Sequence, residues 1–197
     1  MEEKKEKALE VAGEYFHKFG YRKASLSDLI EEIGISKPTF YNYFKNKEEL
    51  FYAVMLATYN EFHYEYSQRE KNAANAMEKL QTYIETFAWF LDRFPIYRDL
   101  YKPGNDLMAK WSQSRYSRDF FSEGVDSISS IMEEGVQEGI FSGDLDIPKY
   151  SLLIYYTLMA ALSNDPNLYH KAGQPEYAID VPALIRIIGH GLLVRSE

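Results

Sequence analysis

The chain has 197 residues, no cysteine and a formal net charge of −8, so disulfides, thiolate metal sites and thiol redox switching are excluded. At 46% hydrophobic and 16% aromatic it carries enough apolar surface for a sizeable core. No apolar run approaches the roughly 20 residues that span a bilayer, and the N-terminus is charged rather than signal-like, so a soluble, cytoplasmic chain without a membrane partner is expected. The charge is uneven: residues 1–47 hold nine Lys/Arg against eight Asp/Glu, a net of +1, whereas residues 48–197 hold thirteen against twenty-two, a net of −9. A locally basic front ahead of an acidic body confines attraction for a polyanion to the front.

From Lys4 to Phe19 the residues Ala8, Val11, Ala12, Tyr15, Phe16 and Phe19 recur at three and four, which predicts a first helix closed by Gly20 in a left-handed cap. Its expected work is to cover the apolar side of the next two helices. Tyr21, Arg22 and Lys23 follow at a turn that either touches phosphate or is simply solvated. Ser25-Leu-Ser-Asp28 reads as a capping box, in which hydroxyl and carboxylate each accept from the other's orphan amide, and it opens a helix through Ile33. Gly34 supplies the turn. The run Gly34 to Lys47 then carries lysines and polar groups without one acid. Ser36 caps a short helix, and Pro38 is tolerated in its first turn because amides there have no intrahelical acceptor. Phe40 and Phe44, four apart, face inward and leave Lys37, Thr39, Tyr41, Asn42 and Tyr43 over the remaining surface. Two short helices joined at a glycine, the second cationic and aromatic, predict a helix-turn-helix whose second member enters the major groove of DNA.

From Ser25 to Leu50 the chain resembles the DNA-binding region of the TetR family of transcriptional repressors. The family's pattern of Gly, small polar, Thr, Tyr, Phe, Lys and Glu-Glu-Leu is met without a gap by Gly34, Ser36, Thr39, Tyr41, Phe44, Lys47, Glu48, Glu49 and Leu50. The remainder resembles the family in length, helicity and a Gly-containing C-terminal helix. Two positions depart: Ile30 stands where the family often has Ala, and Pro38 where it often has Gly, so base preference is not carried over. The resemblance implies an all-α fold of about nine helices, a three-helix head (1–46) that reads an operator, and a helical body (47–197) that binds a ligand and dimerises. It implies a DNA-binding set of Ser25, Lys37, Pro38, Thr39, Tyr41, Asn42, Tyr43 and Lys47. Within it Lys47 and Tyr41 are expected on phosphate, and Lys37 and Thr39 nearer base edges.

After the head, Asn46 to Glu49 forms another cap, and Leu50, Val54, Thr58 and Phe62 mark a long fourth helix from Lys47 to about Gln68. Between Asn72 and Phe94, Met77, Leu80, Ile84, Phe87, Leu91 and Phe94 fall at three and four until Pro95 stops the pattern, while Tyr83, Trp89 and Phe90 make a second apolar face. Such a helix is either central core or the wall of a cavity. Residues 96–117, broken by Pro103-Gly104, are irregular or made of short helices. A helix resumes over 118–138 and closes at Gly139.

The last two helices, Leu152 to Leu162 and Leu184 to Val194, leave almost no polar face. They are expected to pack one side on the core and the other on a second copy, through Leu158, Ala161, Leu162, Leu184, Ile188 and Gly191; deep burial in a monomer is the plainer alternative. Asn164 to Ile179 reads as a long loop. The density of rings predicts a body cavity lined by Tyr83, Phe87, Phe90, Tyr97, Trp111, Phe120 and Tyr155, suited to a small hydrophobic or aromatic ligand. Aromatics at helical spacing equally make plain core.

Enzymatic readings find little support. His17, His63, His170 and His190 lack metal-ligand spacing, and there is neither a phosphate-binding glycine loop nor a Gly-x-Ser-x-Gly elbow. No catalytic residue, cofactor or metal is expected. The expected partners are a double-stranded, near-palindromic operator, a small ligand and a second copy of the chain. The alternative is a DNA-anchored protein that recruits a partner through its acidic body and binds no small molecule.

Overall fold

The computed structural model describes residues 2–101, 106–163 and 180–193. Among them the fold is all-α, with nine α-helices, two 3-10 segments and no strand. In chain order these are α1 (Glu2–Lys23), α2 (Leu26–Ile33), α3 (Lys37–Tyr43), α4 (Lys47–Arg69), α5 (Ala76–Arg93), α6 (Leu107–Ser112), α7 (Arg115–Gln137), α8 (Ile147–Ser163) and α9 (Val181–Leu192); the 3-10 segments are Glu70–Asn72 and Pro95–Tyr101. The expected loop over 164–179 lies outside the described residues.

The chain forms two compact units, one of Met1–Glu61 with Phe94–Ser117, the other of Phe62–Arg93 with Arg118–Glu197. These differ from the expected functional division at residues 46 and 47, because the first turns of α4 and the segment after α5 pack with the head. Leu50, Phe51, Val54 and Met55 are buried together with Phe16, Leu29, Phe40 and Phe44, and Phe16 meets Phe51 edge-on at 5.2 Å. Within the same unit the Tyr97 hydroxyl shares a hydrogen bond with Thr58 Oγ1 at 3.0 Å and donates to the Met55 carbonyl. Burial raises the Tyr97 pKa.

In the second unit α5 is central, packing on α8 and α9. Phe62 is the hub of its aromatic core, with ring centroids 5.2 Å from Tyr83, 5.8 Å from Phe87 and 5.6 Å from Phe90. α5 opens with the Asn-to-Glu device that also opens α4. Glu78 N donates to Asn75 Oδ1 at 3.0 Å while the Glu78 carboxylate accepts from Ala74 N at 2.8 Å. At α4, Glu49 N donates to Asn46 Oδ1 at 2.8 Å and the Glu49 carboxylate accepts from Lys45 N at 2.6 Å. Gly135 on α7 is pressed by the Phe141 ring, which occupies the space a Cβ there would need. Phe141 then pairs with Leu193, and Ser142 N donates to the Leu192 carbonyl at 2.9 Å.

Candidate nucleic-acid interface and ligand site

The head is set by its caps. Ser25 Oγ accepts from Asp28 N at 3.1 Å, but the capping box is only half made, since the Asp28 carboxylate takes the Tyr15 hydroxyl of α1. Burial and then Asp28 raise the Tyr15 pKa. Gly34 stands at φ 73, ψ 32, the left-handed conformation a side chain disfavours, and its amide closes α2 on the Ile30 and Glu31 carbonyls. Ile30 is buried. Ser36 Oγ accepts from Thr39 N at 3.3 Å and lies 2.8 Å from Thr39 Oγ1, so the Thr39 hydroxyl serves the helix start as well as the surface.

α3 is anchored by Phe40 and closed by Phe44, both fully buried. Lys37, Pro38, Tyr41 and Asn42 are exposed, Thr39 and Tyr43 partly so, and Tyr41 is 56% exposed. A face with one lysine, hydroxyls, an amide and rings, and no carboxylate, offers hydrogen-bond donors and stacking surface to a phosphate-lined groove.

Lys47 stands apart from this set. Its ammonium donates to the Tyr21 carbonyl at 3.0 Å and the Ala24 carbonyl at 2.8 Å, and it lies 4.2 Å from the Tyr21 ring centroid. Burial lowers its pKa, with Glu48 opposing. Burial would raise the Glu48 carboxyl, but its own backbone amide and Lys110 hold it below the usual range. Lys110 Nζ reaches Glu48 at 3.2 Å and Asp106 at 3.1 Å. Sequence reading missed Tyr21 and Lys110 as partners of this turn; nothing in the local pattern links residues so far apart.

The seven expected ligand-site residues are all buried, but they are divided between the units. Tyr97 and Trp111 belong to the first, and Tyr83, Phe87, Phe90, Phe120 and Tyr155 to the second. Trp111 packs edge-on against Tyr52 at 5.2 Å, whose hydroxyl donates to the Leu107 carbonyl at 3.4 Å; burial and Glu48 push the Tyr52 pKa up to about 12. Tyr83 donates to the Gly124 carbonyl at 3.4 Å, and Tyr155 meets Phe121 edge-on at 5.2 Å. Among the described residues, clefts open in the first unit. One of about 370 Å³ is bordered by Phe19, Arg22, Lys23 and Pro95, and one of about 360 Å³ by Lys45, Glu48, Tyr52 and Tyr116; Trp111 and Tyr97 line neither.

Of the expected interface residues, Leu158 is 1% and Leu184 9% exposed within the chain itself, so both serve its own core. Ile188 is half-buried and Gly191 exposed, while the side chains of Ala161 and Leu162 lie outside the described residues. Among the described residues of α8 and α9 the apolar groups most in the open are Leu153 (55%), Tyr156 (56%) and Ile187 (72%). The spacing of three from Leu153 to Tyr156 was the signal in the sequence for that face. Among the described residues no group of His, Asp and Glu could hold a metal ion, and no helix is long and apolar enough to cross a membrane.

Residues 8–54 match the family described as "Bacterial regulatory proteins, tetR family". The head is also similar to the transcriptional repressor ComR of Escherichia coli, 48% identical over 48 residues, 24% of this chain and 23% of that protein. A longer and weaker likeness, 22% identical over 139 residues and covering 71% of this chain and 70% of the other, joins it to the transcriptional repressor KstR2 of Mycobacterium tuberculosis. In fold the chain is similar to the transcriptional regulator FadR from Bacillus subtilis, solved in complex with stearoyl-CoA, with TM-score 0.69, 20% identity and coverage of 95% of this chain and 96% of that one. A capped helix-turn-helix with an acid-free reading face thus marks residues 8–54 as a head of the tetR family of bacterial regulatory proteins, on a helical body that shares the fold of the similar regulators.

Proposed function

We propose that this regulator is a repressor that binds a near-palindromic operator as a homodimer and is controlled by a long apolar or aromatic molecule held in the body. The observation that carries the DNA half is the exposure of Lys37, Pro38, Tyr41 and Asn42 on α3, a helix that contains no acid. For the dimer, Leu153, Tyr156 and Ile187 supply apolar surface that water would otherwise wet. The ligand class is supported by the stearoyl-CoA held by the similar Bacillus subtilis regulator, and by a second unit rich in buried rings. Division of labour follows the expected residues 1–46 for DNA and 47–197 for ligand and partner, in a cytoplasmic protein without catalytic activity.

One observation favours the second reading, a DNA-anchored recruiter with no small-molecule ligand. Tyr83, Phe87 and Phe90 close on Phe62 edge to face or tilted, which is the packing of a filled core. Selection of operator DNA from a random pool, followed by titration of the bound complex with long-chain acyl-CoA thioesters and aromatic acids, separates the two. Release of DNA by one compound class supports the repressor; a selected operator that no compound releases, with unchanged melting temperature, favours the recruiter. The dimer has its own test. Leu153→Asp with Ile187→Asp is expected to give folded monomers by sedimentation, with operator affinity at least a hundredfold lower, and a wild type that sediments as a monomer at micromolar concentration removes the dimer from the scheme.

A further inference from the structure

We infer that Lys47 is a positioning residue of the head, fastening the end of α1 to the first turn of α4 and so fixing the pose of α2 and α3, rather than a phosphate ligand. The inference rests on the DNA-binding reading above and replaces one contact expected within it.

Gly20, at φ 73 and ψ 160, interrupts α1 and leaves Tyr21 to Ala24 as a detached last turn. Carbonyls at such an end need donors from elsewhere, and a cation suits the negative pole of the helix. Lys47 supplies both at once, donating to the carbonyls of Tyr21 and Ala24. The Ala24 carbonyl belongs to the residue just before Ser25, the cap of α2, so the clamp holds the very point where α1 hands over to the helix-turn-helix. Tyr21 is gripped three times by consecutive residues of one turn: its carbonyl and ring face by Lys47, and its hydroxyl by Glu48. Glu48 is itself held by Lys110 of α6. Two of the three ammonium protons are thus committed inside the fold and the cation lies over a ring, so reaching a phosphate would first break a satisfied, partly desolvated arrangement. The lowered Lys47 pKa is consistent with a cation withdrawn from water.

Two measurements on Lys47→Met, which keeps an apolar stem and removes the charge, separate clamp from phosphate contact. In the DNA-free protein, amide exchange over 21–25 is expected to quicken at least tenfold while exchange at Leu80 and Ile84 stays as in the wild type. A contact made only on DNA leaves the free protein untouched, so unchanged exchange overturns the inference, and a head that melts outright in this variant supports it. On operator DNA, affinity is expected to fall about tenfold with the slope of log affinity against log salt unchanged; a slope smaller by about 2, the loss of two phosphate contacts in a dimer, overturns it. Tyr21→Leu gives the third arm: combined with Lys47→Met it is expected to cost no more than the worse single change, and additive losses count against the clamp. A wild type that binds no operator would instead defeat the DNA-binding reading, leaving the exchange result to stand by itself.

Discussion

α3 and α5 use aromatic residues in opposite ways. α3 spends two rings, Phe40 and Phe44, on holding itself to the head and leaves Tyr41 in the open. α5 buries Tyr83, Phe87 and Phe90 almost completely, and each touches Phe62. A surface ring contributes little to folding and is free to meet a partner, whereas a close-packed ring is already spent on cohesion. Substitutions should therefore separate cleanly: α3 should lose DNA without losing stability, and the core around α5 should lose stability first.

The largest expected break is Phe62→Ala, which removes the hub of the second unit and should lower unfolding free energy by about 3–5 kcal/mol, read from urea denaturation. A loss under 1 kcal/mol would mean that Tyr83, Phe87 and Phe90 do not depend on this ring, and would return them to the walls of a cavity. Next in size is a pair of identical substitutions with different physics. Gly135→Ala sets a Cβ into the Phe141 ring, and overpacking of this kind costs about 1–3 kcal/mol. Gly34→Ala meets nothing within 4 Å but inherits φ +73, a conformational cost of about 1–2 kcal/mol. Relief of the first by Phe141→Leu, and not of the second by any neighbour, distinguishes crowding from backbone strain.

Smaller still in stability, though not in function, are Lys37→Ala and Tyr41→Ala on the exposed face. Each should change unfolding free energy by less than about 0.5 kcal/mol, while operator binding weakens by about 1–3 kcal/mol and loses base preference for Lys37 near base edges, and weakens alike on all sequences for Tyr41 on phosphate. Gel-shift titration beside thermal melting checks both halves, and parallel losses in the two would show that α3 is structural.

The smallest effect concerns His63. Burial lowers its pKa from the usual value of about 6.5, against the pull of the Glu123 carboxylate 3.3 Å away. The unfolded chain therefore takes up the proton first as pH falls, so this contribution is whole above pH 6.5 and is lost below it. Wild type should lose more stability than His63→Gln between pH 7 and pH 5, and equal slopes would show that the imidazole titrates alike in both states.

Sequence by itself determined the head, because its signals are local. Ser25, Ser36 and Asn46 accept from amides three residues on, Gly34 takes the one conformation that suits it, and Phe40 with Phe44 marks the buried side of a seven-residue helix. Helix periodicity likewise placed α4, α5 and α7 to within a few residues. Tertiary structure decided what periodicity cannot express, namely which apolar side of a doubly apolar helix meets which neighbour. Leu158 and Leu153 look alike in α8, yet one is core and the other is open to solvent. Tyr97 and Tyr83 look alike as candidate wall residues, yet they fall in different units. Lys47 carries the sharpest case: its family pattern points outward to phosphate, while its ammonium turns back to carbonyls 26 and 23 residues earlier in the chain, a pairing made by the packing of α1 on the head and by no periodicity in the sequence.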